Sequence, residues 1–120
     1  MAFAGGAPAA PGPRALAGAA PGLWDVSRSA DGHNSTRLCV ADLTALAQWE
    51  QRRTNCTRVV ISDSASKTVI HYTCADGGFG RSDLTLLTPR TIRVDTQGIS
   101  RGLPFAYQLH ARRVGACPAR

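Results

Sequence analysis

Acidic side chains are scarce in this chain of 120 residues: Glu50 is the single glutamate, beside seven aspartates spread from Asp25 to Asp95. Two glutamates cannot share a cleft as acid and base, and the scattered aspartates offer no pair at a readable spacing. The four cysteines stand at 39, 56, 74 and 117, with no close pair among them. That spacing argues against structural zinc, which favours pairs such as C-x₂₋₄-C. His33, His71 and His110 are far apart in sequence, while a catalytic metal needs three converging ligands. The serines lack the G-x-S-x-G setting of a nucleophile elbow. The run Gly77-Gly78-Phe79-Gly80 has no Lys-Ser/Thr after it and no following helix, so it is a turn rather than a phosphate cradle. No stretch reaches the roughly 18 apolar residues of a membrane-spanning helix. Together these absences point away from an enzyme, and no metal or cofactor is implied.

Lysine is as rare as glutamate. Lys67 stands alone against thirteen arginines, and the net charge is +6. Aromatic residues make up 6%, and none falls in an RNA-binding motif. The arginines are scattered, with Arg52-Arg53 and Arg112-Arg113 the only adjacent pairs. This pattern describes a solvated basic surface and no nucleic-acid partner, with weak attraction to an anionic envelope component left open.

What the chain does have is a cysteine framework. Cys56 and Cys74 flank TRVVISDSASKTVIHYT, which reads as one β-hairpin. Folded about Ala65, it sets Cys56 opposite Cys74, Arg58 opposite Tyr72 and Val60 opposite Ile70. Directly opposed residues have Cβ atoms about 4.5–5.5 Å apart, close to the about 3.5–4.5 Å that a disulfide wants. Cys39 and Cys117 remain, bracketing nearly everything that looks folded, and form the second pair. In the chain-entropy model the two closures contribute about 3 and about 4.5 kcal/mol, large beside the stability of a small domain. Two bridges imply an oxidising compartment.

Along the chain, sixteen of the first twenty residues are Ala, Gly or Pro. Residues 1–20 are expected to be a disordered tail or the remnant of a signal peptide, since Ala15-Leu16-Ala17 matches a cleavage site. A basic n-region is missing, and Pro8, Pro11 and Pro13 interrupt any apolar core. A single β-rich domain is expected over 21–117, and a short tail over 118–120. Residues 41–52 are the one helix candidate, with Leu43, Leu46 and Ala47 at i, i+3, i+4, then Trp49. Strands follow: the hairpin, then Gly80 to Leu87 with Leu84 and Leu86 on one face, then Ile92 and Val94. A turn near Gln97-Gly98 leads to a last strand with Phe105, Tyr107 and Leu109 inward. The expected fold is mainly β, an antiparallel meander curled into a half-barrel or small sandwich.

Gly22-Leu23-Trp24 with an arginine late in the chain is also a signature of lipocalin-like barrels, in which that arginine packs over the indole. Arg112 or Arg113 stands in the right place, although the folded region is short for a closed eight-stranded barrel. The simpler reading makes Trp24 a large core residue.

PGLWDV at 21–26, Cys39 before a short helix, the Cys56 and Cys74 hairpin, and RRVGAC at 112–117 together resemble one bacterial family, the domain of unknown function family numbered 3617. Its members begin the mature chain with P-G-L-W-E and end with a basic residue, an apolar one, Gly, any residue and Cys. This chain has Asp25 where glutamate is usual. The resemblance implies an exported envelope protein of Gram-negative bacteria with no assigned activity. No catalytic residues can be carried over from it. The expected function is a non-enzymatic periplasmic binding module for a small apolar ligand or an envelope component. Trp24, Leu84, Leu86, Ile92, Val94, Phe105 and Tyr107 would line its concave face. The rival is a structural or interaction protein acting through its basic surface.

Overall fold

The computed structural model describes residues 12–118. It is mainly β, with seven strands: β1 Gly22–Ser27, β2 Thr36–Val40, β3 Cys56–Asp63, β4 Lys67–Cys74, β5 Phe79–Thr88, β6 Thr91–Ser100 and β7 Leu103–Gly115. All pair antiparallel in one open sheet, in the order β2-β1-β7-β6-β5-β4-β3. The sandwich alternative is therefore not formed. β3 to β7 are the expected meander, whereas β1 and β2 return to pair beside β7. The β2–β3 connection must then cross from one edge of the sheet to the other.

That crossing segment is the helix candidate, and it takes 3-10 form over Leu43–Gln51, broken at Gln48 (φ −106°, ψ 34°). Leu43, Leu46 and Trp49 recur every three residues, the repeat of a 3-10 helix, and all three are buried. The Asp42 carboxylate caps its start, accepting the Thr44 N–H at 3.0 Å and the Thr44 hydroxyl at 2.7 Å. The helix packs on one face of the sheet and fills it. Trp24, Val26, Ile70, Leu84, Ile92, Val94, Leu109 and Ala111 alternate onto that face and join Leu46 and Ala47 in one core. Ser82 ties the two layers by donating to the Ala47 carbonyl at 2.5 Å, 2.7 Å from the Thr96 hydroxyl. A buried serine is tolerated here because its hydrogen bonds are satisfied.

Both disulfides form as expected, Cys39 with Cys117 and Cys56 with Cys74. The hairpin register holds from Cys56↔Cys74 to Val60↔Ile70. Ile61 is then an extra residue, so Ser62 faces Val69 and Asp63 faces Thr68. The turn expected near Gln97-Gly98 lies further on, at Arg101-Gly102, because Ser100 pairs with Leu103. Gly98 instead continues β6 and faces Gly80 across the pair.

The expected boundary at Pro21 is also displaced. Arg14–Leu16 forms a 3-10 turn, and Ala15 and Leu16 are buried. The N–H groups of Arg14 and Ala15 donate to the Asp63 carboxylate at 2.7 and 3.1 Å. A segment rich in Ala, Gly and Pro becomes ordered because a sheet already formed supplies both an apolar seat for Leu16 and a cap from another strand. Residues 1–11, the rest of the expected tail, and 119–120, most of the expected C-terminal one, lie outside the described residues.

Candidate functional site

The residues expected to line a concave ligand surface divide. Trp24, Leu84, Ile92 and Val94 are at most 1% exposed, covered by the 3-10 helix. They are core, and the concave face is filled. Leu86 and Tyr107 are half-buried at the core margin. Phe105 alone of the seven lines the two cavities below, and it lines both.

Tyr107 anchors a small cluster. Its hydroxyl donates to Glu50 Oε1 at 2.8 Å, and the Arg28 guanidinium sits 3.7 Å above its ring centre. Arg28 also lies 3.7 Å from Glu50. Burial pushes the Tyr107 phenol up, and the hydrogen bond to Glu50 adds to it. The single glutamate thus ties the helix to β7.

The cavities lie at the far end of the sheet. Four inward positions there carry an unusual row: Tyr72, Gly80, Gly98 and Phe105 are cross-strand neighbours on β4 to β7. The Tyr72 ring lies over Gly80, where a Cβ would come within 2.6 Å of it, and Phe105 approaches Gly98 from the other side. On the outer face the backbone of these two inward positions forms a floor. A groove of about 700 Å³ opens there, walled by Phe79, Ile99, Pro104 and Ala106, with His71, Arg81 and Gln97 along one flank. Phe79 is 49% exposed. An apolar groove with an exposed ring at its wall is a candidate interaction site.

A second cavity of about 540 Å³ adjoins it, sharing Pro104 and Phe105. Arg52 and Arg53, after the 3-10 helix, and Arg101, at the β6–β7 turn, line it together with Glu50, Asp76 and Leu103. Arg52 is held in place, stacked 4.0 Å from the Trp49 ring and donating to the Trp49 carbonyl at 3.0 Å. Arg101 and Gly102 form a two-residue turn with φ of 54° and 77°. Both φ values are those of a type I′ turn, whose first position prefers Asn, Asp or Gly. These cavity residues were missed in the sequence because the turn was placed at Gln97-Gly98. The available signal was Arg101-Gly102 between Ile99 and Leu103, two apolar positions of adjoining strands.

His71 is exposed and His110 half-buried. Among the described residues no three of His, Cys, Asp and Glu converge as metal ligands.

The shared sequence motifs meet elsewhere. Arg113 Nε donates to the Pro21 carbonyl at 3.0 Å and crosses over Gly22. A Cβ at Gly22 would lie 2.6 Å from the Gly115 carbonyl and 2.7 Å from the Arg113 guanidinium. Trp24 donates its indole N–H to the Ala20 carbonyl at 3.1 Å. The Cys39–Cys117 bridge closes the same corner. The glycine and arginine that suggested a lipocalin-like stack therefore form a backbone lock at the start of β1.

A doubly cross-linked, single-sheet β domain with this lock is the class of protein that the fold defines. The family model for proteins of unknown function, DUF3617, matches residues 19–117, and the chain belongs to that family. Searches of the curated proteins and of the solved structures gave no match. No helix among the described residues is long and apolar enough to cross a membrane.

Proposed function

We propose that this protein is a non-enzymatic binding module exported to the periplasm of Gram-negative bacteria, holding an apolar portion of an envelope component in the groove over Gly80 and Gly98. The observation that carries the reading is the groove itself: about 700 Å³, walled by Phe79, Ile99, Pro104 and Ala106, on a face that no other described element covers. Two disulfides and the envelope setting implied by the family resemblance support the compartment. The filled concave face moves the ligand from the inner side of the sheet to the outer one.

The test is uptake of N-phenyl-1-naphthylamine, a neutral apolar fluorophore. The wild type is expected to enhance its emission, and a folded Phe79→Ser variant to lose most of the enhancement. A folded wild type that leaves the probe dark removes the reading.

A second reading, an interaction protein of the envelope, is favoured by a different observation. Among the described residues strand β3 pairs only with β4, and on this edge Val59, Val60 and Ile61 are all exposed. Such an edge can accept a strand from another chain. Sedimentation of the wild type beside Val59→Lys tests it: a concentration-dependent dimer abolished by the lysine supports strand addition, and two monomers exclude self-pairing.

A further inference from the structure

We propose that the arginine-lined cavity beside the groove is a head-group site, and that the ligand is a single-chain anionic amphiphile. The proposal rests on the groove reading above and names the chemistry of its ligand.

The charge in the cavity is not balanced internally. Its two carboxylates are engaged elsewhere: Glu50 accepts from Tyr107 and faces Arg28, and Asp76 Oδ1 accepts the Gly78 N–H at 2.9 Å. Arg52 is fixed on Trp49. Arg53 and Arg101 line the same cavity with no carboxylate within 4.0 Å among the described residues. Arg14, Arg90 and Arg113 likewise have no carboxylate within 4.0 Å among the described residues but line neither cavity, whereas five other arginines are paired. Arg37 and Arg112 flank Asp25, Arg81 and Arg93 reach Asp83 and Asp95, and Arg58 reaches Asp42.

The backbone of Arg101 adds an independent indication. A residue with a Cβ at φ 54° is disfavoured by about 1–2 kcal/mol, and Asn relieves part of that by bonding locally. An arginine kept there holds a long cation at the cavity mouth against its own backbone preference, a pattern found at ligand clamps. Guanidinium groups suit phosphate and carboxylate oxygens because their N–H fork matches the anion.

Pro104 and Phe105 line both cavities, so the head-group site and the apolar groove adjoin at the start of β7. A ligand spanning both needs an anionic end and an apolar chain. Free phosphate satisfies one half and a neutral lipid the other.

The experiment measures binding of decyl phosphate below its micelle concentration, of decanol, and of inorganic phosphate, by calorimetry on the wild type and on Arg101→Asn and Arg53→Gln. Decyl phosphate is expected to bind at least about tenfold more tightly than either partial ligand, since a charge-assisted hydrogen bond is worth a tenfold step or more. Arg101→Asn should weaken decyl phosphate at least about fivefold and leave decanol unchanged. Its unfolding midpoint should be equal to or above that of the wild type, because Asn suits the turn. Equal affinity for decyl phosphate and decanol, or undiminished binding by both variants, overturns the head-group site while the groove reading stands. Phosphate binding as tightly as decyl phosphate overturns the amphiphile. Failure of decanol and decyl phosphate alike to bind a folded wild type overturns both readings.

Discussion

Gly80 and Gly98 decide much of what the far end of the sheet can do. Their missing side chains let Tyr72 and Phe105 close over the inner face, while their backbone lies under the outer groove. Tyr72 is buried, and its hydroxyl has no hydrogen-bond partner among the described residues. Burial pushes its phenol up to about 12, with the Glu50 charge adding to the effect. An unfolded tyrosine titrates near about 10. Below that pH both states keep the proton and the contribution to stability is whole. Above it the unfolded chain loses its proton first, so stability falls as pH rises from about 10 through about 12. Urea midpoints measured at pH 8, 10 and 11.5 should decline across that window, and Tyr72→Phe should flatten the decline while costing little at pH 8. An unchanged slope in the variant would assign the alkaline loss to Tyr107, whose phenol is raised as well. At this scale the inward set was legible. Trp24, Leu84, Ile92, Val94 and Leu109 follow from alternation alone. Whether they face a ligand or a helix does not, because period two says which face is apolar and not what covers it.

At the scale of elements, the 3-10 helix shows how a correct apolar pattern can carry the wrong period. Leu43, Leu46 and Trp49 fit both three and 3.6 residues per turn over so short a segment, and Gln48 breaks the helix before the two diverge. The Asp42 cap is the local control point. Burial pushes its carboxyl up, but the Thr44 hydroxyl and N–H and the Arg58 charge outweigh this and hold it below its ordinary value. Its contribution is therefore present above the unfolded carboxyl range and lost as pH falls through the lowered value. Arg58 Nη2 reaches Asp42 at 3.4 Å, and Arg58 also bonds Gln48, so edge strand β3 is tied to the segment following β2. Asp42→Ala should lower stability by about 0.5–2 kcal/mol, the usual loss for a helix cap. Asp42→Asn keeps an acceptor for Thr44 and should recover most of that. Equal losses in denaturant titrations of the two variants would instead place the effect in the pairing with Arg58. The β6–β7 turn was missed for a related reason. Gln97-Gly98 looks like a turn, but a glycine within a strand also serves where a neighbouring ring needs room.

For the whole molecule, the described core begins before Pro21. Leu16 is buried, Ala15 is fully enclosed, and Asp63 has the two N–H groups of Arg14 and Ala15 as partners. A chain beginning at Pro21 should unfold at clearly lower urea than one beginning at Gly12, and identical midpoints would show that this segment adds nothing. The low-complexity composition concealed it, because composition reports what a segment can bury alone and not what a finished sheet offers it. The two disulfides should differ in worth. Their separations are 18 and 78 residues. Replacing Cys39 and Cys117 by serine should therefore cost more than replacing Cys56 and Cys74, about 4.5 against about 3 kcal/mol in the entropic account. The reverse order would indicate that the longer bridge is compensated by the lock of Arg113 on Pro21.

That same corner sets a clock. The β1–β2 hairpin joins the rest of the sheet only when β7 arrives, and Cys39 waits for Cys117. Contacts between the two ends of a chain are the slowest to form, and a chain emerging from its N-terminus cannot form them early. Everything before Leu103 can assemble at most the β1–β2 hairpin and a separate β3–β6 meander with a bare edge at β6. The order of the strands therefore postpones closure of the sheet until β7 is available, so that one late strand and one late bridge join the two halves of the sheet at once.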